Sequence, residues 1–105
     1  MTLDKKITIE DILNWAKPHQ NKMEGAKQVV INTKNFRISI VGGCQGLYGD
    51  FDEDFEVAII DNSTDDFMTK FFYPESNDDV LPYQKRDEVE ELVKMVIGNK
   101  EFQVL

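Results

Sequence analysis

Apolar residues recur along this chain with two different periods, and the switch between them predicts its elements. Ile9, Ile12, Leu13 and Ala16 fall at helical spacing. A capping box opens that run, with Thr8 as cap and Asp11 three residues on, and Ile7 and Ile12 can form the flanking staple. Pro18 closes it, which predicts a helix near 9–17 with Trp15 packed beside the stripe. Residues 19–26 are a polar connector. Val29, Val30 and Ile31 are β-branched and predict a strand over 28–32. Asn32-Thr33-Lys34-Asn35 is turn chemistry. Phe36, Ile38 and Ile40 then alternate with Arg37 and Ser39, completing a hairpin that Val41-Gly42-Gly43 ends.

After the glycine-rich stretch 42–50, Phe55, Val57 and Ile59 alternate with Glu56, Ala58 and Ile60, predicting a third strand. Residues 61–66 are a turn, 67–73 a fourth strand and 74–82 a loop. Val89, Leu92, Val93, Val96 and Ile97 form the clearest stripe, that of a helix over 85–97. Asp87, Glu88, Glu90 and Glu91 suit its N-terminal end, and Gly98 stops it. The tail 101–105 is a frayed end or a short added strand.

The predicted order is α-β-β-β-β-α. Connections this short make the strands an antiparallel meander, with both helices on one face: a two-layer α+β domain over 1–105. A meander brings the start of the third strand and the end of the fourth together. Asp50, Asp52, Glu53 and Asp54 are therefore expected to meet Glu75, Asp78 and Asp79. Asp61, Asp65 and Asp66 belong at the other end, about 25 Å away at ~3.4 Å per residue.

Charge sharpens this picture. Of 105 residues, 12 are Lys or Arg and 20 are Asp or Glu, for a net charge of −8. Residues 1–48 carry +3 and residues 49–105 carry −11. Between 38 and 69 there is no Lys or Arg, but there are eight carboxylates. Like charges held together oppose compaction, so a use outside the fold is expected. Such a surface disfavours direct contact with nucleic acid or anionic membrane and favours a basic protein or a cation. The single cysteine, Cys44, forms no intramolecular disulfide and suggests a reducing compartment. No secretion signal or membrane span is recognisable, so a cytoplasmic location is expected.

Candidate chemistry is sparse. Asp50, Asp52, Asp54 and Asp61 match positions 1, 3, 5 and 12 of a calcium loop, but Phe55 stands where glycine is needed and 55–60 reads as strand. Gly42, Gly43, Gly46 and Gly49 are not followed by the Lys-Ser/Thr of a phosphate loop. Cys44 has no base nearby, since the only histidine is His19, and acidic surroundings raise a thiol pKa. One His and one Cys do not make an ordinary zinc site. No cofactor motif is present, and a non-enzymatic role is expected.

The segments LYGDFDEDFEVAIIDN and DDVLPYQKRDEVEELVKMV, over about 47–97, resemble small acidic proteins of phages and prophages of Gram-positive bacteria. Size, charge and class are also similar to anti-CRISPR inhibitors that occupy DNA-binding surfaces. Together with the acidic surface, this leads to the expectation of a binding module docking on a basic, nucleic-acid-binding host protein, as a DNA mimic or inhibitor. Tyr48 and Phe51 would be the apolar anchors, and Asp50, Asp52, Glu53, Asp54, Glu75, Asp78 and Asp79 the charged contacts. The alternatives are an oligomeric accessory protein joined through an apolar sheet face, and a cation-binding protein using Asp50–Asp61.

Overall fold

The computed structural model describes residues 7–18, 25–43, 49–98 and 100–105. The first element, α1 (Ile9–Asn14), starts at the expected capping box: Asp11 N–H donates to Thr8 Oγ1 at 3.3 Å, and Thr8 N–H to the Asp11 carboxylate at 3.0 Å. It is shorter than 9–17, because Trp15 caps it and Lys17–Pro18 form a two-residue strand, β1. Three longer strands follow: β2 (Lys27–Asn32), β3 (Phe36–Gly42) and β4 (Asp54–Asp61). Next come the short helix α2 (Thr69–Phe72), β5 (Leu81–Lys85), α3 (Arg86–Ile97) and β6 (Gln103–Val104). All pairings are antiparallel and the order is β1-β2-β3-β4-β5, with β6 also on β2. The α+β meander with an N-terminal and a C-terminal helix is as the periodicity predicts.

The alternation fixes which face is buried. Val29, Ile31, Ile38, Ile40, Phe55, Val57 and Ile59 point to one side and are fully buried. Ile9 and Ile12 of α1 and the Val89–Ile97 stripe of α3 cover them, and all belong to one apolar cluster. The tail joins it: Phe102 is buried against Trp15, ring centroids 5.9 Å apart. No helix among the described residues is long and apolar enough to cross a membrane.

The fourth strand is not where the sequence predicts it. Of residues 67–73 only Phe67 bridges β4, opposite Ile60, and the chain then turns into α2. Thr69, fully buried, accepts the Ile59 N–H on its hydroxyl at 3.0 Å, while Met68 N–H donates to the Ile59 carbonyl at 2.7 Å. A side chain thus stands in for a ladder partner, and the helix begins. The true partner strand, β5, lies in the predicted loop 74–82 and beyond. Pro82, which has no N–H, is tolerated there because β5 lies at the edge of the strand order. A register shift between Phe55 and Val57 accompanies Tyr83 at φ 53°.

Both sides of the central strands β2–β4 are completed piecewise. On β2, β1 pairs with Lys27 and Gln28, β6 pairs with Ile31 and Asn32, and Leu105 N–H reaches the Val30 carbonyl at 2.9 Å. On β4, β5 takes Asp54 to Val57, and the Phe67–Thr69 segment takes Ile59 and Ile60. Asn62 ties the turns together. Its side-chain NH2 donates to Asn32 Oδ1 and to the Thr33 carbonyl, each at 2.8 Å; its backbone N–H donates to the Asn35 carbonyl; and its Oδ1 accepts from Arg37.

A candidate docking surface

The acidic loop before β4 is organised by its own carboxylates. Asp50 Oδ1 accepts the backbone N–H groups of Asp52 and Glu53 at 2.9 Å and of Asp54 at 3.2 Å. Those donors stabilise the charged form and lower its pKa from 3.8 to about 2. Asp54 returns the bond, accepting the Asp50 N–H on Oδ1 at 3.0 Å. Phe51, at φ 61°, is carried inward by this turn and meets Phe55 edge-on, centroids 5.2 Å apart. Gly49 makes the close approach possible, since a Cβ there would lie 2.7 Å from the Asp54 carbonyl oxygen and the Phe55 Cα.

Two expectations are corrected by this geometry. Phe51 is buried core, not a surface anchor. Asp52 and Asp54 are not bare charges either: Arg86 holds Asp52 at 2.8 Å, and Lys85 lies 3.5 Å from Asp54. Both cations sit at the β5–α3 junction, which β5 delivers to the acidic loop through the Asp54–Lys85 pairing. Glu53 remains exposed on the loop. Tyr48, Cys44, Gly46 and His19 lie outside the described residues. The calcium-loop spacing also fails, because Asp54 and Asp61 occupy opposite ends of β4. No group of three or more potential metal ligands is present among the described residues.

The convergence of Asp50–Asp54 with Glu75, Asp78 and Asp79 does not form. Because β5 replaces 67–73 as the partner strand, Leu81 faces Val57 and Lys85 faces Asp54. Asp79 precedes Lys85 by six residues, a span of up to about 20 Å in extended chain. Asp79 instead lies 3.9 Å from Lys70 of α2. The loop 74–80 therefore joins the corner built by α2 and the turn after β4.

That corner holds two exposed aromatic residues; the third exposed one among the described residues, Tyr83, lies on β5. Phe71 is 69% and Phe67 50% exposed, four positions apart. Phe71 stands edge-to-face on Phe72 at 5.3 Å, and Phe72 stands likewise on Phe36 at 5.3 Å, so the outermost ring rests on a tier rooted in the core. Acids surround it. Asp65, at φ 61°, pairs with Arg37 at 2.7 Å, and Asp66 is exposed beside Phe67. Asp61 accepts both the hydroxyl and the N–H of Ser63, which lowers its pKa. Beyond α2, Tyr73 is partly buried and lies beside Glu88 and Glu91; burial first, then these carboxylates, raise its phenol pKa. The row of acids on α3 thus continues the negative field past the corner.

Sequence reasoning missed Phe67 and Phe71 because an alternating strand hides every second residue. The signal that was present is the run Asp65-Asp66-Phe67 followed by Lys70-Phe71, in which charges flank aromatics on both sides. No protein-family model, curated protein or solved structure matches the chain.

Proposed function

We propose that this chain is a non-enzymatic docking module of phage or mobile-element type that binds a basic, nucleic-acid-binding host protein. One observation carries the reading: two exposed phenylalanines, on a segment that Met68 and Thr69 bind to Ile59 and with Phe71 set edge-to-face on Phe72, stand inside an acidic rim. Rigid aromatics surrounded by charge are the usual anchors of protein interfaces. Phe67 and Phe71 replace Tyr48 and Phe51 as the proposed anchors. Asp65, Asp66, Glu75, Asp78 and Asp79 form the rim, and Asp52, Glu53, Glu88 and Glu91 extend the steering field.

The test is affinity capture by the immobilised chain from cells that encode it, repeated from about 0.05 to about 0.5 M salt. A captured basic protein is expected to be released as salt rises. Phe67→Ser and Phe71→Ser together are expected to weaken capture at least about tenfold, the size of a hot-spot loss. They are expected to leave folding intact. Capture indifferent to both salt and these substitutions would rule the reading out.

A further inference from the structure

The described cations divide into two sets. Arg37, Lys70, Lys85, Arg86 and Lys94 each pair with a carboxylate. Lys17, Lys27, Lys34 and Lys100 have no ion pair among the described residues, although the protein carries a net charge of −8. Lys17 and Lys27 lie where β1 meets β2, and Lys34 and Lys100 lie at the other end of β2, where Asn62 joins the β2–β3 turn to the turn after β4. Two of them, Lys34 and Lys100, face the same groove. It has a volume of about 880 Å³ and runs between the β2–β3 turn and the segment leading into β6. Asn32, Asn35, Phe102 and Gln103 complete it.

The hydrogen-bond inventory of this groove is one-sided. Three of its acceptors are already used: Asn62 donates to Asn32 Oδ1, to the Thr33 carbonyl and to the Asn35 carbonyl. The Thr33 hydroxyl is spent on Phe36, donating to its carbonyl and accepting its N–H. Asn35 Oδ1, Gln103 Oε1 and the Glu101 carboxylate remain as acceptors, and the remaining donors outnumber them. The ammonium groups of Lys34 and Lys100, the NH2 groups of Asn32, Asn35 and Gln103, and the backbone N–H groups of Lys34 and Asn35 have no acceptor among the described residues. Glu101 is the one carboxylate at the rim. The groove is open to solvent, and buried Phe102 gives it an apolar wall.

We infer that this groove binds a small molecule bearing an anionic oxygen group, a phosphate or a carboxylate, between Lys34 and Lys100. Charge-assisted bonds from two ammonium groups and the turn amides would hold it. This site adjoins the turn after β4 through Asn62 but shares no residue with the proposed docking corner, and its test does not depend on that reading.

The experiment is a two-dimensional amide NMR titration of the whole chain with inorganic phosphate and, separately, with succinate. Sodium chloride at matched ionic strength is the control. Saturating shifts confined to 32–35 and 100–103 are expected with at least one probe. Saturation by phosphate alone assigns a phosphate-bearing ligand, and saturation by succinate alone a carboxylate-bearing one. Lys34→Ala with Lys100→Ala is expected to raise the midpoint at least about tenfold, the loss of two charge-assisted bonds. Lys17→Ala with Lys27→Ala is expected to leave it within about twofold. These side chains are exposed, and the same spectra report whether the fold survives. The inference is overturned if shifts stay linear with both probes, if chloride reproduces them, or if the Lys34/Lys100 variant titrates like the native chain.

Discussion

Thr69→Val isolates the side-chain bond that replaces the fourth strand. The substitution keeps the shape of a fully buried residue and deletes only the hydroxyl that accepts the Ile59 N–H at 3.0 Å. Ile59 is itself fully buried, so no water takes over. A buried N–H left without an acceptor costs about 1–3 kcal/mol. Unfolding entropy of ~2.1 cal/mol/K per residue, over 105 residues, gives about 0.22 kcal/mol/K. A loss of about 2 kcal/mol therefore lowers Tm by about 9 °C. Thr69→Ser keeps the acceptor and loses one methyl, worth about 1 kcal/mol, or about 4–5 °C. Thermal and urea denaturation of both variants give the ordering, and hydrogen exchange gives the location: the Ile59 amide is expected to exchange faster in Thr69→Val than in Thr69→Ser. If Thr69→Val is as stable as Thr69→Ser and its Ile59 amide is equally protected, the hydroxyl is not what completes β4.

Two further outcomes test the acidic loop and the turn after β4, beside the capture and titration experiments above. Gly49→Ala is expected to cost about 1–3 kcal/mol in urea denaturation, because its Cβ would press on the backbone of Asp54 and Phe55 rather than on a movable side chain. Asp50 and Asp61 both have folded pKa values below the ordinary 3.8, so the folded form takes up their protons less readily than the unfolded chain. Their contribution to stability is complete above 3.8 and is lost as pH falls, down to about 2 for Asp50. Urea midpoints taken from neutral to acid pH are expected to fall over that window, and less steeply in Asp50→Ala.

What the sequence disclosed, and what it hid, follows from how local each signal is. The α3 stripe and the alternation through Phe36–Ile40 and Phe55–Ile59 are local periodicities, and they placed the core correctly. The Thr8 capping box is equally local, and it forms. The run 67–73 is apolar without a decisive period, and a short apolar run suits strand and helix alike. Its fate was settled by Thr69 reaching Ile59, ten residues back. β5 was concealed by Pro82, which excludes a central strand but not an edge one. Among the acids, spacing alone does not separate Asp50, captured by its own backbone, from the exposed Glu53 three residues on. Misplacing one strand moved Glu75, Asp78 and Asp79 to another corner, so an error in register became an error in the site.

The piecewise completion of the sheet determines how this molecule can fail and how it can bind. A foreign strand needs an unbroken row of free backbone groups to add to a sheet or to seed a fibril. If β1 or β6 frays from β2, only two ladder positions are uncovered each time. At the other side, β5 is five residues long, with Pro82 lacking an N–H and Tyr83 turned to positive φ. Local openings are therefore separable, each exposing too little edge to template anything. Recognition by strand addition is disfavoured at these described edges for the same reason, and a protein partner there would read side chains more than strand backbone.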